Sequence, residues 1–343
     1  MKEKSSSKTR AMLIAARCLK VVDGFPFKQM YGGIGQILAF HRVIPENKRE
    51  RIWSNSYLEV TTDYLEKVIL YYRAHKFDFL SMDDLVLKGF HAKNKFVVFT
   101  FDDGFRDNLY HALPVLQKYN VPLNIYITTD FPDKKTILWW NVVEDVILQN
   151  TDLSFEWFGE KMAFRCSSSA EKNETFGKIH SLIQEGSELT IKERALMFCR
   201  IFNTDPFKSI GELALSWDEV RQMSRDKLVT MGAHTVSHPV LSQLTGKDSL
   251  EEIKRSKLRI EKETGTAVKH FAYPFGGIKE ATSREYKLAA SCGYETAVTL
   301  VSASISREHE HKLFELPRIA VGMSMNEETF DLMRFGVIQM MRN

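Results

Sequence analysis

Cysteine is scarce in this chain: the 343 residues hold four, Cys18, Cys166, Cys199 and Cys292, and no two form a CxxC pair. That removes a thiolate zinc site and a thioredoxin-like redox motif from consideration. Scattered cysteines fit a reducing compartment. An excess of one charge is missing too, since 47 basic residues against 44 acidic ones leave +3. So even a balance, without aromatics interleaved among basic clusters, argues against nucleic acid as a partner. Internal repeats are absent, and low complexity is confined to Ser5, Ser6 and Ser7.

The start of the chain imitates a signal peptide, with Lys2, Lys4, Lys8 and Arg10 ahead of the apolar residues 11–16. That run is shorter than the roughly 7–15 residues of a signal-peptide core, and Arg17 and Lys20 break its continuation. It falls far below the ~20 apolar residues that span a bilayer. Arg17 also stands where lipidation at Cys18 would need a small residue. Residues 1–35 are therefore expected to be a basic helical segment, packed on the domain or frayed. Peripheral contact with an anionic membrane surface is the functional alternative. The expected location is cytoplasmic, at most touching the inner membrane.

The chain does have a soluble globular composition, 44% hydrophobic and 27% charged, and is long enough to bury a core unaided. Seven short runs read as strands: 36–41, 96–101, 122–128, 228–233, 269–273, 295–299 and 315–320. Several are near-continuous apolar runs, the pattern of parallel strands covered on both faces. Helical patterns fall between them at 62–75, 105–119, 216–225, 248–264 and 280–292, with a last helix near 326–341. Ser216 and Glu219 stand at capping-box spacing, and Gly265 and Gly293 where helices should stop. Alternating strands and helices predict an α/β architecture with a parallel sheet, closed or open. Residues 132–211 break the alternation and are expected to form a mostly helical insertion between two barrel parts, 36–131 and 212–343.

Three strand ends carry chemistry. Thr100-Phe101-Asp102-Asp103-Gly104 puts two carboxylates where a buried strand becomes a turn, which is costly unless something positive neutralises them. An Asp-Gly turn capping the next helix would use the same residues. His234-Thr235-Val236-Ser237-His238-Pro239 comes directly after another strand. In a helical turn, histidines four apart point the same way and can reach one ion. In a barrel the C-terminal strand ends share one mouth, so this pair would meet the aspartates. Two histidines and a carboxylate leave coordination positions open, as catalytic zinc sites do, with one aspartate ligand and the other base. Phe271-Ala272-Tyr273-Pro274-Phe275-Gly276-Gly277 makes a tight turn whose N–H groups can face a carbonyl oxygen.

FTFDDG, HTVSHP and AYPFGG, in this order, resemble the first three motifs of the polysaccharide deacetylase superfamily (carbohydrate esterase family four). ILAFHRV and ELPRIAV resemble segments of its bacterial exopolysaccharide and lipopolysaccharide branch. The resemblance spans roughly residues 36–131 and 212–321. It implies a distorted (β/α)7 barrel and a divalent metal ion, Zn2+ by expectation, held by Asp103, His234 and His238. It further implies Asp102 as general base and an oxyanion contact at the Phe275 turn, with Tyr273 and Gly276 beside it; His41 should face the same mouth. The substrate implied is an N-acetylated amino sugar of a cell-surface polysaccharide, lipopolysaccharide or precursor. Two departures stand out. Ala272 occupies the place of an arginine that braces the base, for which Arg318 is the candidate substitute, and the family's general-acid Leu-x-His segment is not evident. His311 is nearest to it in sequence but sits in a polar stretch; His41 and a metal-bound water are the alternative donors, and the general acid is left unassigned. Trp139, Trp140, Trp217 and Tyr273 are candidates for stacking on sugar faces, with core packing as the plainer role. Hydrolysis of a small cyclic or formyl amide, or a silent carbohydrate-binding module, are the competing functions.

Overall fold

The computed structural model of the protein describes residues 33–46, 50–185 and 190–336. The basic segment expected at the start lies almost wholly outside the described residues. The last expected helix is described over Glu327–Arg334.

Along the chain the strands are β1 (Gly35–Phe40), β2 (Arg42–Ile44), β3 (Glu59–Thr61), β4 (Asp78–Leu80), β5 (Phe96–Phe101), β6 (Leu123–Ile127), β7 (Asp152–Trp157), β8 (Glu160–Arg165), β9 (Val229–Ala233), β10 (His270–Ala272), β11 (Thr296–Val298) and β12 (Ile319–Ala320). Seven of them line up as β11-β10-β9-β6-β5-β1-β12, all pairings parallel, and these are the seven apolar runs of the sequence. Every residue of β1, β5 and β6 is buried, which is why they read as unbroken runs.

Residues 313–320 join the two ends of this sheet. Ala297 N–H donates to Leu313 O at 2.8 Å and Thr299 N–H to Leu316 O at 2.8 Å, after which Ile319 pairs with Leu38 of β1. The architecture is the expected distorted (β/α)7 barrel. One addition was not legible: β4, too short for any period, pairs with the first half of β5, and β6 takes the second half. The side chain of Asn124 bridges that junction, donating to Phe99 O and accepting from Met82 N–H, both at 2.8 Å.

Side-chain parity divides the core. Ile37, Val98, Tyr126, Ala272, Val298 and Leu316 form one buried cluster, while Leu38, Phe99, Ile125 and Phe271 pack with the surrounding helices. The inward parity of β5, carried from Val98 through Thr100, leads to Asp102; that of Leu316 leads to Arg318. Helix ends obey their local signals: Ser216 and Glu219 form the capping box, and Gly265 closes helix Gly246–Thr264 at φ 70°. The helix expected at 105–119 instead opens with a π-helical turn over Asn108–Ala112, a distortion common at functional sites. It lets Asn108 donate to His41 O at 2.9 Å.

The insertion is not helical throughout. Helices Trp139–Leu148, Ser169–Gln184, Ile191–Ile201 and Lys208–Leu213 are accompanied by the antiparallel hairpin β7–β8. Leu153, Phe155 and Trp157 alternate with exposed residues, and Phe158 and Gly159 turn the chain at φ 50° and 83°. That is a two-residue hairpin turn with both residues in the left-handed region. Val143, Ile147, Phe155, Phe176, Ile179 and Phe198 give the insertion a hydrophobic cluster of its own.

Candidate metal centre and active-site cavity

The three motifs all sit where barrel strands end, and each turn is backbone-strained. Asp103, Thr235, His238 and Phe275 hold φ values of 75°, 67°, 60° and 60°, although none is glycine. Such residues cost of order 1–3 kcal/mol each and persist only where surrounding structure enforces them. The histidine pair is therefore not on a helical turn. Left-handed kinks at Thr235 and His238 bring the rings to 5.0 Å between centroids, and Thr235 Oγ1 accepts His238 N–H at 3.0 Å.

Asp103 Oδ1 lies 3.5 Å from His234 Nε2 and 3.4 Å from His238 Nε2. One donor atom from each of the three residues lies within 4.8 Å of the others. His234 Nδ1 is 2.7 Å from Ala272 O, which places its proton there and leaves Nε2 as a lone pair. Asp103 Oδ1 is buried and has no hydrogen-bond partner. Burial and the neighbouring Asp102 charge push the Asp103 carboxyl well above its usual range, and burial holds both imidazoles below theirs. A carboxyl group with an orphaned oxygen and two neutral imidazoles form a site lacking positive charge, and the donor set suits one divalent ion.

Beside this centre, Asp102 and Arg318 form a bidentate pair, both contacts at 2.7 Å. Asp102 is 1% exposed and Arg318 0%. The guanidinium also donates to Thr299 O at 2.9 Å and Thr100 Oγ1 at 3.1 Å, and lies over the Tyr126 ring. Burial opposes ionisation of Asp102, but Arg318 and His234 override it and hold the carboxyl below the usual carboxylate range. Arg318 thus reaches, from the far end of the sheet, the place where Ala272 offers nothing.

A cavity of about 250 Å³ opens over both groups, lined by His41, Asp102, Asp103, His234, His238 and Phe275, among others. His41 Nδ1 is buried without a partner; burial pushes the imidazole down to about 4, against the opposing charge of Asp102. Phe275 stacks edge-on to His238 at 4.9 Å, and its N–H donates to no group among the described residues. Gly276 supports the turn: a Cβ there would come within 2.6 Å of Leu300 N. Tyr273 is not at the site. Its ring is fully buried beside Phe271, its hydroxyl donates to Phe314 O at 3.0 Å and its N–H to Val298 O at 3.2 Å. An inward alternation that suits Ala272 turns the next residue outward.

Trp139 and Trp140 of the insertion line the cavity. Trp217 does not: its Nε1 donates to Asp133 at 2.7 Å beneath Arg259, so it ties the insertion to the barrel. His311 is exposed at the end of a 3-10 turn, Arg307–His311. Sequence reasoning missed Glu252, whose carboxylate accepts Val236 N–H, Ser237 N–H and Ser237 Oγ–H, each at 2.9 Å, and so clamps the histidine loop. It also missed Glu144, which receives Arg51, Ile52 N–H and Asn55 and fastens the insertion beside the cavity. Neither carries a local signal, because each acts on a distant segment. A wider depression of about 710 Å³ lies near β4, at the opposite end of the barrel, without a comparable donor set.

The sequence profile of the family described as polysaccharide deacetylase matches residues 91–297. Among solved structures, the chain resembles the Streptococcus pyogenes deacetylase PplD in complex with acetate, at 19% identity over 86% of this chain and 95% of that one, TM-score 0.55. It resembles IcaB from Ammonifex degensii at 16% identity over 89% and 98%, TM-score 0.55. It also resembles a de-N-acetylase from Aggregatibacter actinomycetemcomitans at 14% identity over 87% and 99%, TM-score 0.55. Identities this low establish the shared fold and nothing finer. No curated protein matches the sequence. The profile match covers more than half of the chain and contains all three motif turns, so this protein belongs to the polysaccharide deacetylase family, hydrolases of non-peptide carbon–nitrogen bonds in acetylated sugars.

Proposed function

We propose that the protein is a metal-dependent N-deacetylase of an amino sugar in a cell-surface polysaccharide, a lipopolysaccharide or a precursor of one. The observation that carries this reading is the convergence of Asp103, His234 and His238 beside the buried Asp102–Arg318 pair, under one cavity. The three ligands suit Zn2+. When bound, such an ion polarises the acyl oxygen and makes water a stronger acid.

The chain's own groups do the rest. Asp102, kept ionised by Arg318, accepts a proton from the water that attacks the amide carbon. Arg318 fixes both carboxylate oxygens, so the base cannot rotate away. The Phe275 N–H, without a partner among the described residues and fixed by the left-handed turn, donates to the oxyanion. The proton that Asp102 takes from the water passes on to the departing amine, and His41, kept neutral because burial holds its imidazole down to about 4, can hydrogen-bond at the same mouth to orient that transfer. The amide C–N bond breaks to give acetate and a free amino sugar.

The test is acetate release from a panel of N-acetylated sugars, run beside metal analysis of the purified protein. Acetate release that is abolished by a chelator and restored by Zn2+ supports the reading. A metal-loaded protein that releases acetate from no sugar would overturn it.

A further inference from the structure

We infer that Trp53 and Tyr57 form a binding subsite for the sugar units that flank the one being deacetylated, so the substrate is a glycan of several units. The inference rests on the deacetylase reading above and adds a site to it.

The first observation is exposure. Trp53 is 63% and Tyr57 49% exposed, unusual for residues that are normally well covered. Their ring centroids lie 6.1 Å apart, with the planes 37° from parallel. Adjacent apolar faces carrying polar tips are what a pyranose ring, with its C–H face and hydroxyl rim, can lie against.

The second is rigidity. The short helix Trp53–Ser56 belongs to a strap fastened along its length. Ile52 N–H donates to Glu144 at 2.7 Å, Ser54 N–H and Oγ to Asn173 at 3.1 and 3.2 Å, and Asn55 Nδ2 to Glu144 at 2.7 Å. From the other side Gly322 fits closely under Tyr57, where a Cβ would come within 2.0 Å of its carbonyl oxygen. Two exposed rings on a strap so firmly held form a prearranged surface, which lowers the ordering cost of binding.

The third is continuity. Tyr57, Ser54 and Asn55 line the same cavity as Asp102 and His234. That cavity, about 250 Å³, is smaller than the roughly 300–1,000 Å³ of drug-sized ligand pockets. It suits one sugar unit, so further units extend beyond it, either into the neighbouring cavity past Trp140 and Phe275 or over the side that Tyr57 lines, where the Trp53 ring continues the apolar surface outward. Charge separates a glycan from a nucleotide-linked sugar. Arg42 is the one guanidinium lining the cavity among the described residues, no lysine joins it, and it is already paired with Glu59 at 2.9 Å and Asp107 at 2.8 Å. Within this cavity a diphosphate would meet no unpaired side-chain cation among the described residues; the lysines nearest the site, Lys135 and Lys192, line the neighbouring cavity on the side away from Tyr57.

The test compares wild type with Trp53→Ala, using N-acetylglucosamine and its β-1,4- and β-1,6-linked tetramers as probes. Both acetate release and calorimetric binding are measured. Wild type is expected to favour a tetramer over the monosaccharide. Trp53→Ala should reduce kcat/KM and affinity for that tetramer about three- to tenfold, with monosaccharide turnover and metal content unchanged. A tetramer bound and cleaved equally well by both proteins overturns the subsite, as does a wild type that binds no tetramer. Tetramer binding that depends on Trp53 without acetate release would leave the subsite standing and overturn the deacetylase reading instead.

Discussion

Arg318→Met is the most informative single substitution. In the wild type the guanidinium is fully buried and holds both oxygens of Asp102, itself 1% exposed. Methionine fills similar space but leaves the carboxylate without its counter-charge. Removing one partner of a buried ion pair costs about 3–5 kcal/mol. Released as protonation, at 1.36 kcal/mol per unit, that cost corresponds to an upward move of roughly two to four units in the carboxyl. The direction is unambiguous, since Arg318 is what outweighs the burial of Asp102. The acid limb of the kcat/KM profile should therefore shift at least two units upward; the carboxyl, raised from below the usual carboxylate range, is still ionised at neutral pH, where activity should fall by up to about 10²-fold through loss of the fork that orients the base. Zinc binding, measured by titration calorimetry, should stay within about tenfold, because Asp103, His234 and His238 are not touched. Arg318→Lys, which restores a point charge without the fork, should fall between. An unchanged acid limb with neutral-pH activity within threefold of wild type would refute the reasoning, whatever happened to stability.

Other perturbations separate ligand, base and scaffold. Asp102→Asn should retain the metal and lose nearly all turnover, whereas His238→Ala should lose both, as read by metal analysis and acetate release; wild-type activity in Asp102→Asn would dismiss it as the base. Zn2+ at one hundred times its dissociation constant should stabilise the protein by about 2.7 kcal/mol, a rise of several degrees in Tm that His238→Ala should not show. Gly276→Ala, placing a Cβ at φ +60° within 2.6 Å of Leu300 N, should cost about 1–3 kcal/mol and impair kcat, visible as a lower Tm and slower acetate release. For acid stability the sign comes from Asp102: its folded pKa lies below the unfolded value. The pair's contribution is complete above about pH 4 and is lost as pH falls toward the folded value. Arg318→Met should show a shallower loss of Tm over that range.

The sequence by itself determined most of the barrel and the identities at its mouth. Strands β1, β5 and β6 are buried on both faces, so their apolar runs declare them without a partner in view. The candidate metal donors are legible for a related reason: His234 and His238 share one turn, and Asp102 and Asp103 share another, so the chemistry is written at short spacing. Even the hairpin β7–β8 was present as an alternation of Leu153, Phe155 and Trp157, obscured by the helices around it.

Only the tertiary structure decided the relations between distant segments. Arg318 braces Asp102 across 216 residues, Glu252 clamps the histidine loop from a helix, and Glu144 fastens the strap bearing Trp53. The orientation of Tyr273, away from the site, was set by packing against Phe271 and the carbonyl of Phe314. Local patterns report whether a residue is buried and where a turn falls. Which buried charge meets which depends on how the sheet closes, and no spacing along the chain encodes that.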